Sequence, residues 1–324
     1  MRLQLKKNFQ ILAGLMERSF IEWLKGETES KQHANLILGI GDDASIIDLK
    51  DGASVISTDM LADGVHFVVG QTPLELIGRK AMAVNLSDLA AMAAKPVCAT
   101  VSLMLPRSMS LDDAKKIMGG LLQLADEYGV AIVGGDTNRW EGALVISVTI
   151  TGLVDEGFAT SGGWRMDGAQ AGDVVLVSGD FGNSIKEKHL TFTPRVALAL
   201  LVRDKYLVHA ATDITDSLSI DLSLIAEQSG LGLELECASI PISKDALVEH
   251  NHDQSAALRS ALYDGEDFEL AVIVDPKTAK RIVEDLQLPC KMTPVGNMTS
   301  APRTYSLVDS QGRVSPLAPK GYEH

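Results

Sequence analysis

The sequence lacks the short motifs by which many nucleotide- and metal-dependent enzymes are recognised. It has no GxxxxGK[ST] phosphate loop, no HRD or DFG kinase signature and no GxSxG nucleophile elbow, and its 7 histidines form no HExxH pair. No internal repeat and no low-complexity tract is present. Any phosphate chemistry in this chain must therefore rely on other residues, and the abundant carboxylates are the first candidates.

Cysteine and positive charge are both scarce. The 3 cysteines (Cys98, Cys237 and Cys290) are far apart and form no CxxC pair, which excludes a disulfide framework or a zinc knuckle and favours a reducing cytoplasm. Lys and Arg total 29 against 43 Asp and Glu, a net charge of -14. Because this charge repels phosphate backbones and anionic lipid, we expect neither nucleic acid nor a membrane as a partner.

The sequence also has no apolar run long enough to span a bilayer. The best stretch, residues 81–94, is short and contains Asn85, Ser87 and Asp88. The first twenty residues start with basic side chains but are interrupted by Glu17 and carry no small-residue cleavage site. They are typical of an amphipathic helix, and we expect a soluble cytoplasmic protein.

Short β-like runs alternate with longer helical segments, which predicts an α+β (mixed α/β) fold in two domains. The 324 residues suit two domains of ordinary size. We place the N-terminal domain at residues 1–153 and the C-terminal domain at 154–324, with a Gly-rich connection over 155–173. Predicted strands are residues 36–40, 53–57, 98–105, 130–133, 144–151, 174–178, 233–236 and 268–274. Predicted helices are residues 73–94, 111–128, 194–203 and 220–228.

Six acidic clusters follow or flank these elements, most of them at the ends of predicted strands. They are Gly39–Asp43, Ser57–Asp59, Asn85–Asp88, Gly134–Thr137, Asp213–Asp216 and Asp264–Asp267. Taken singly, each has an ordinary explanation as a turn or a helix cap. If several converge, mutual repulsion requires cations between them, and carboxylate oxygens together with water and phosphate suit Mg²⁺.

Asp88 is the carboxylate that a turn or cap explains least well. It lies in a helix that is apolar almost all round, a pattern that predicts burial, and Asn85 shares its face. No Lys or Arg follows Lys80 on that face. Because an isolated buried charge is costly, a bound cation is the expected compensation.

Seven motifs together resemble the thiamine-monophosphate kinase family, within the superfamily of aminoimidazole ribonucleotide synthetase. They are GIGDDA, STDMLADGVHF, GRKAMAVNLSDLAAMAAKP, VGGDT, DITDSLSIDL, DGEDFEL and the terminal KGYEH. The resemblance runs from about Leu38 to Tyr322. It implies an N-terminal domain that dimerises through its sheet, a C-terminal α/β domain, and Mg²⁺-assisted transfer of the γ-phosphoryl group of ATP to thiamine monophosphate.

The resemblance also implies roles for individual residues. Carboxylates that act in catalysis and hold several Mg²⁺ ions would be Asp43, Asp59, Asp88, Asp136 and Asp213, assisted by Ser57 and Thr58. Asp216 would be a further metal ligand. Residues that bind ATP and its metals would be Gly135, Asp136, Arg165, Thr215 and Asp216. Residues near the acceptor would be His66, Glu266 and Pro319. The acceptor phosphate is already ionised, so alignment and charge neutralisation account for catalysis without a strong general base.

The chain departs from the family pattern at four places. Ser217 stands where glycine is usual, which would cost about 1 kcal/mol if that position required a positive φ. Arg165 is displaced by one residue, the stretch between Gly182 and His189 is short, and Pro319 replaces a tryptophan. Two alternatives stay open: another ATP-dependent activity of the superfamily on a phosphorylated or amide substrate, and a non-catalytic protein that binds nucleotide or thiamine phosphate.

Overall fold

The structure, a computed structural model, describes residues 36–38, 42, 44–48, 53–154, 158 and 164–322. Within these ranges, thirteen strands form two sheets and eight helices accompany them, which confirms the mixed α/β class. The predicted N-terminal amphipathic helix, part of the predicted connection (residues 155–157 and 159–163) and Asp43 lie outside the described residues. None of the helices in these ranges combines the length and the apolar character needed to cross a bilayer.

Six strands form the first sheet. They are β1 (Leu36–Leu38), β2 (Ser45–Asp48), β3 (Ala53–Ala62), β4 (Lys95–Pro106), β5 (Ala131–Trp140) and β6 (Val145–Val154). Their order is β1-β2-β3-β6-β4-β5, with β4 and β5 parallel and the other neighbours antiparallel. β3 and β5 are longer than predicted, so Asp59 and Asp136 lie within strands; the expectation that they follow strand ends was wrong.

Seven strands form the second sheet. They are β7 (Val174–Ser178), β8 (Ala210–Ile214), β9 (Gly232–Glu236), β10 (Glu269–Val274), β11 (Met292–Thr299), β12 (Tyr305–Val308) and β13 (Val314–Pro316). Their order is β13-β12-β9-β11-β7-β10-β8. Along β10 every side chain is buried, which explains why the period-two alternation is absent there and only the Val- and Ile-rich composition signals a strand.

Two helices cover one face of the first sheet, and the other six belong to the C-terminal half. They are α1 (Leu74–Ala91), α2 (Leu111–Glu127), α3 (Lys188–Thr191), α4 (Val196–Lys205), α5 (Leu218–Gln228), α6 (Lys244–Glu249), α7 (Gln254–Tyr263) and α8 (Pro276–Glu284). Helix α1 contacts β3 and β6 on one side and β8 and β10 on the other. Because it lies between the two sheets, it is buried almost all round, as its apolar sequence predicts.

Helices α1 and α2 touch backbone to backbone. A Cβ added to Gly78 would lie 1.7 Å from the carbonyl oxygen of Ile117, and one added to Gly120 would lie 1.8 Å from that of Glu75. Neither contact could be relieved by a side-chain rotation, because the opposing atoms are backbone. These two glycines therefore set the distance between the helices, and with it the position of the side chains on α1.

Replacing Gly120 by alanine should destabilise the protein by at least about 2 kcal/mol, because the two helices must separate and the core must repack. Gly119 is the matched control: a Cβ there meets nothing within 4 Å. Gly119→Ala should raise stability by about 0.5–1 kcal/mol through helix propensity. Urea unfolding followed by circular dichroism measures both. Equal effects of the two substitutions would contradict the backbone contact.

Candidate active site

A buried lysine connects the two halves of the molecule. Lys80, on α1, is 0% exposed, and its Nζ lies 2.7 Å from Oε1 of Glu266, 2.9 Å from Nδ1 of His189 and 3.1 Å from the carbonyl oxygen of His66. An ammonium group has three hydrogens, so all are used. Burial lowers the pKa of Lys80, and the adjacent Glu266 opposes this.

Glu266 is held in an unusual backbone conformation opposite this lysine. Its φ is 55°, and its N–H bonds to the carbonyl oxygen of Thr215 at 2.7 Å. Gly265, before it, has a φ of 76°, and a Cβ there would lie 2.3 Å from the carbonyl oxygen of Asp216. Although burial raises the pKa of Glu266, the nearby His189 and Lys80 hold it below its ordinary value.

One carboxylate oxygen of Glu266 accepts no hydrogen bond from the described residues. Glu266 is 5% exposed, and its Oε2 has no hydrogen-bond donor among the residues that the structure describes. Nδ1 of His189 lies 3.3 Å from it but forms no hydrogen bond with it in this arrangement. A buried carboxylate oxygen without a donor is a natural acceptor for a donor on a ligand.

Helix α1 also carries two serine–carboxylate pairs. Ser57, on β3, donates to Oδ2 of Asp88, and Ser87 donates to Oδ2 of Asp213 at 2.5 Å. Asp59 joins the same group, because its N–H bonds to Oδ1 of Asn85 at 3.2 Å. The structure thus brings Ser57, Asp59, Asp88 and Asp213 together around the C-terminal half of α1.

Electrostatics in this group favour a bound cation. Burial raises the pKa of Asp213 to about 7, with further contributions from the negative charges of Asp59 and Asp216. No positively charged side chain is among the causes of this shift. A cation would reverse it, because an opposite charge stabilises the ionised carboxylate.

The loop between β8 and α5 is tied from within by Asp221. One oxygen of this buried carboxylate accepts the N–H groups of Thr215, Asp216 and Ser217 at 2.9, 3.1 and 3.2 Å. Burial, with Asp216 nearby, raises the pKa of Asp221 well above its ordinary value. Asp221 is part of the DITDSLSIDL motif, but the sequence analysis assigned it no role, because nothing local shows that its side chain folds back onto the loop.

Ser217 does not have the strained backbone that its replacement of glycine suggested. Its φ is 172°, which is extended, so the expected cost of about 1 kcal/mol does not apply. Its hydroxyl accepts the N–H of Ile220 at 3.1 Å and caps α5. The side chain therefore has a function that glycine could not perform.

The C-terminal segment passes next to this loop. Pro319 is exposed. Tyr322 donates its N–H to the carbonyl oxygen of Asp216 at 2.8 Å and its hydroxyl to that of Val65 at 3.1 Å. Val65 precedes His66, whose Nδ1 accepts the N–H of Ala62 at 3.1 Å. The predicted nucleotide loop and the predicted acceptor segment are therefore linked through Tyr322.

Four of the predicted site residues lie apart from this group. Thr58 alternates with Ser57 along β3 and points to the opposite face, where its hydroxyl bonds to the carbonyl oxygen of Val148 at 3.1 Å. Gly135 and Asp136 lie on the exposed edge strand β5. Arg165 lies beside β8, its guanidinium paired with Asp167 at 2.6 Å. Their assigned roles stay predictions.

Gly135 has a structural reason to be glycine. Its φ is 153°, and an added Cβ would lie 1.9 Å from the carbonyl oxygen of Val101 on β4. The close approach of β4 and β5 therefore requires glycine whether or not a nucleotide is bound. Asp136 bonds to Thr137 N at 2.8 Å and to Nδ2 of Asn138 at 2.8 Å.

No three His, Cys, Asp or Glu side chains of the described ranges lie close enough to hold a metal ion by themselves. Mg²⁺ does not need such a group, since it is commonly bound by one or two carboxylates, with water and substrate phosphates completing the shell. The paired oxygens of Asp88 and Asp213 and the hydroxyls of Ser57 and Ser87 are hard ligands that fit this ion.

A cavity of about 600 Å³ lies elsewhere, between the loop before α1 and the turn before α2. Val69, Pro73, Met109 and Lys116 are among its lining residues, and none of the carboxylates of the predicted metal site lines it. We place the candidate active site at the carboxylates because the charged and hydrogen-bonded groups converge there.

Comparison with known proteins gives a consistent result over the whole chain. Residues 41–154 match the AIR synthase related protein, N-terminal domain, and residues 178–309 match the AIR synthase related protein, C-terminal domain. The thiamine-monophosphate kinase of Rhodopirellula baltica is 37% identical over 317 residues, covering 95% of this chain and 97% of the relative.

Two further similarities agree with this. The thiamine-monophosphate kinase of Buchnera aphidicola subsp. Schizaphis graminum is 33% identical, over 92% of this chain and 95% of the relative. A solved structure described as AaThiL complexed with AMPPCP and TMP superposes with a TM-score of 0.80 at 26% identity, covering 95% of this chain and 96% of that one.

Removing the buried lysine should destabilise the fold strongly. Lys80→Met leaves the charge of Glu266 buried without its main partner, and we expect a loss of about 3–5 kcal/mol in the free energy of unfolding. The exposed pair of Arg107 and Glu141, with side chains 65% and 84% exposed, is the control. Arg107→Met should change stability by less than about 1 kcal/mol.

The double variant Lys80→Met/Glu266→Gln should recover part of the loss, because no uncompensated charge then remains buried. Guanidinium unfolding at pH 7 measures all four proteins. If Lys80→Met were as mild as Arg107→Met, the contact would not be the buried ion pair described above.

Proposed function

The chain belongs to the thiamine-monophosphate kinase family, and we propose that it transfers the γ-phosphoryl group of ATP to the phosphate of thiamine monophosphate, giving thiamine diphosphate and ADP. The observation that carries the proposal is the group of carboxylates around α1, which joins residues of both halves of the chain. A relative at 37% identity over 97% of its length supports the same activity.

The acceptor phosphate needs no activation by a base. It is ionised near neutral pH, so the enzyme has to align two phosphate groups and neutralise their charge. An acidic site repels ATP unless cations intervene, and Mg²⁺ bound to the phosphates supplies that neutralisation. We assign Asp43, Asp59, Asp88, Asp213 and Asp216 as its ligands, with Ser57; the roles predicted for Thr58 and Asp136, which lie apart from this group, stay predictions.

The loop that Asp221 orders is assigned to the nucleotide. Three consecutive N–H groups, from Thr215 to Ser217, are fixed by one carboxylate, so Asp216 projects from a rigid turn next to Asp213. Gly135 and Arg165 complete the assigned ATP-binding residues. A rigid turn keeps charged groups aligned without an entropy cost at binding.

The thiamine end is assigned to His66, Glu266 and Pro319. Oε2 of Glu266 is buried without a donor and suits the amino group of the thiamine pyrimidine. His66 lies next to Val65, which Tyr322 contacts, so these residues border one region between the two halves. Pro319 offers a small apolar surface there.

We propose that the protein works as a homodimer in the cytoplasm, divided into domains at residues 1–153 and 154–324. The face of the first sheet opposite α1 and α2 carries exposed apolar side chains, with Met60 63% and Val133 63% exposed. An exposed apolar sheet face of this kind favours a second copy of the chain as its cover. The three cysteines are free, as a reducing compartment requires.

Incubation of the protein with ATP, Mg²⁺ and thiamine monophosphate should yield ADP and thiamine diphosphate in equal amounts, resolved by liquid chromatography. Free thiamine, which lacks the acceptor phosphate, should give no product, and excess EDTA should abolish turnover. ATP hydrolysis without thiamine diphosphate formation, together with turnover of another phosphorylated acceptor, would contradict the proposed substrate.

Asp88→Asn should lower kcat by at least about 100-fold while the protein stays folded, because loss of a metal-binding charge removes transition-state stabilisation. Asp126→Asn, an exposed carboxylate near the end of α2, is the control and should leave kcat unchanged. Near-normal turnover of Asp88→Asn at saturating Mg²⁺ would exclude Asp88 as a metal ligand.

The dimer should be visible by light scattering coupled to size-exclusion chromatography. Met60→Glu places a charge on the open sheet face and should weaken dimerisation at least about tenfold. Leu286→Glu changes a side chain that is 98% exposed elsewhere and should have no effect on the mass. A wild-type protein that is monomeric at micromolar concentration would refute the dimer.

A further inference from the structure

Two serine hydroxyls hold the C-terminal segment on the loop between β8 and α5. Ser219 donates to the carbonyl oxygen of Lys320 at 2.7 Å and accepts its N–H at 3.0 Å. Ser217 donates to the same carbonyl oxygen at 2.7 Å while accepting the N–H of Ile220. The two hydroxyl oxygens also lie 3.1 Å apart, so Ser217, Ser219 and the carbonyl oxygen of Lys320 form one hydrogen-bonded cluster.

These contacts are buried on the side of the serines. Ser217 and Ser219 are both 0% exposed, although Lys320 itself is exposed. Gly321 fits against the same loop, since a Cβ there would lie 2.3 Å from the carbonyl oxygen of Asp216 and 2.8 Å from Oγ of Ser217. The segment is therefore fixed by close packing as well as by hydrogen bonds.

Tyr322, which follows Gly321, extends toward the N-terminal half of the chain. Tyr322 is bonded through its N–H to Asp216 and through its hydroxyl to Val65, so its side chain extends from the loop to the segment that carries His66. Burial and the negative charge of Glu266 raise the pKa of its hydroxyl. Tyr322 thus borders the segment that carries His66, one of the residues assigned to the acceptor.

We propose that Ser217 and Ser219 are positioning residues for the acceptor: they fix the C-terminal segment, residues 317–322, so that Tyr322 forms one wall of the thiamine monophosphate site. This inference rests on the proposed function. Ser217 provides the second hydrogen bond to the carbonyl oxygen of Lys320. Neither serine touches the reacting phosphates in this role, so they act through Tyr322.

The test uses Ser219→Ala and Ser217→Gly/Ser219→Ala. Ser219→Ala leaves the cap on α5 intact, so it separates the loss of hydrogen bonds to Lys320 from the loss of the helix cap. Loss of the hydrogen bonds to Lys320 in the double variant should speed amide hydrogen exchange of residues 320–322 about tenfold. The Kd for thiamine monophosphate, measured by calorimetry without ATP, should rise about fivefold, since uniform binding is lost.

In Ser219→Ala, which leaves the cap of α5 and the N–H groups of the nucleotide loop in place, the KM for ATP and kcat should stay within about twofold of the wild type, because contacts remote from the transferring phosphoryl group affect binding alone. Tyr322→Phe alone should weaken acceptor binding. Added to the double variant, it should raise the Kd for thiamine monophosphate by less than a further factor of about two, because both changes act through one segment. Ser110→Ala, which removes the cap of α2, should leave every one of these quantities unchanged.

Three outcomes would overturn the inference: faster exchange with unchanged acceptor affinity, equal losses for ATP and acceptor, or independent effects of Tyr322→Phe and the serine substitutions. Failure of the proposed function has a different signature. A wild-type protein that binds thiamine monophosphate, loses affinity in the variants and makes no thiamine diphosphate would refute the activity while leaving the positioning role in place.

Discussion

The architecture of the site depends on the hydrogen-bonded ion pair between Lys80 and Glu266. It joins a helix of the N-terminal half to a loop of the C-terminal half, and Lys80 also binds the carbonyl oxygen of His66. A buried pair of this kind adds little net stability, because desolvation offsets much of the attraction. Its contribution is directional: all three hydrogens of Lys80 have fixed acceptors, so the two halves have one favourable arrangement.

Once the ion pair fixes the position of α1, the positions of the carboxylates around this helix are determined as well. Asn85 and Asp88 face β3, and Ser87 faces Asp213 on β8. The backbone contacts at Gly78 and Gly120 set the distance between α1 and α2. A helix between two sheets can present side chains to both. The same helix therefore explains why carboxylates from the two halves of the chain meet, and why burial, with the negative charges of Asp59 and Asp216, raises the pKa of Asp213.

The C-terminal segment connects the two halves a second time, and this connection is more exposed than the buried pair of Lys80 and Glu266. Tyr322 joins Asp216 to Val65 directly, whereas Lys80 joins Glu266 to His66 from within. Because Ser217 is extended and caps α5, its replacement of the usual glycine costs no backbone strain and adds a hydrogen bond to this segment.

The sequence by itself determined the fold class, the buried character of α1, the acidic motifs and the family, because each depends on local pattern or on residues that can be compared one by one. Only the tertiary structure decided which of those residues meet. The alternation of β3 turns Ser57 toward α1 and Thr58 away from it, and this depends on where the strand ends, which composition did not reveal. The partners of Lys80 lie 186 and 109 residues away in the chain, and the fold of Asp221 onto its own loop has no local signal. Long-range pairing of buried charges is set by how whole elements pack, so no stretch of sequence contains it.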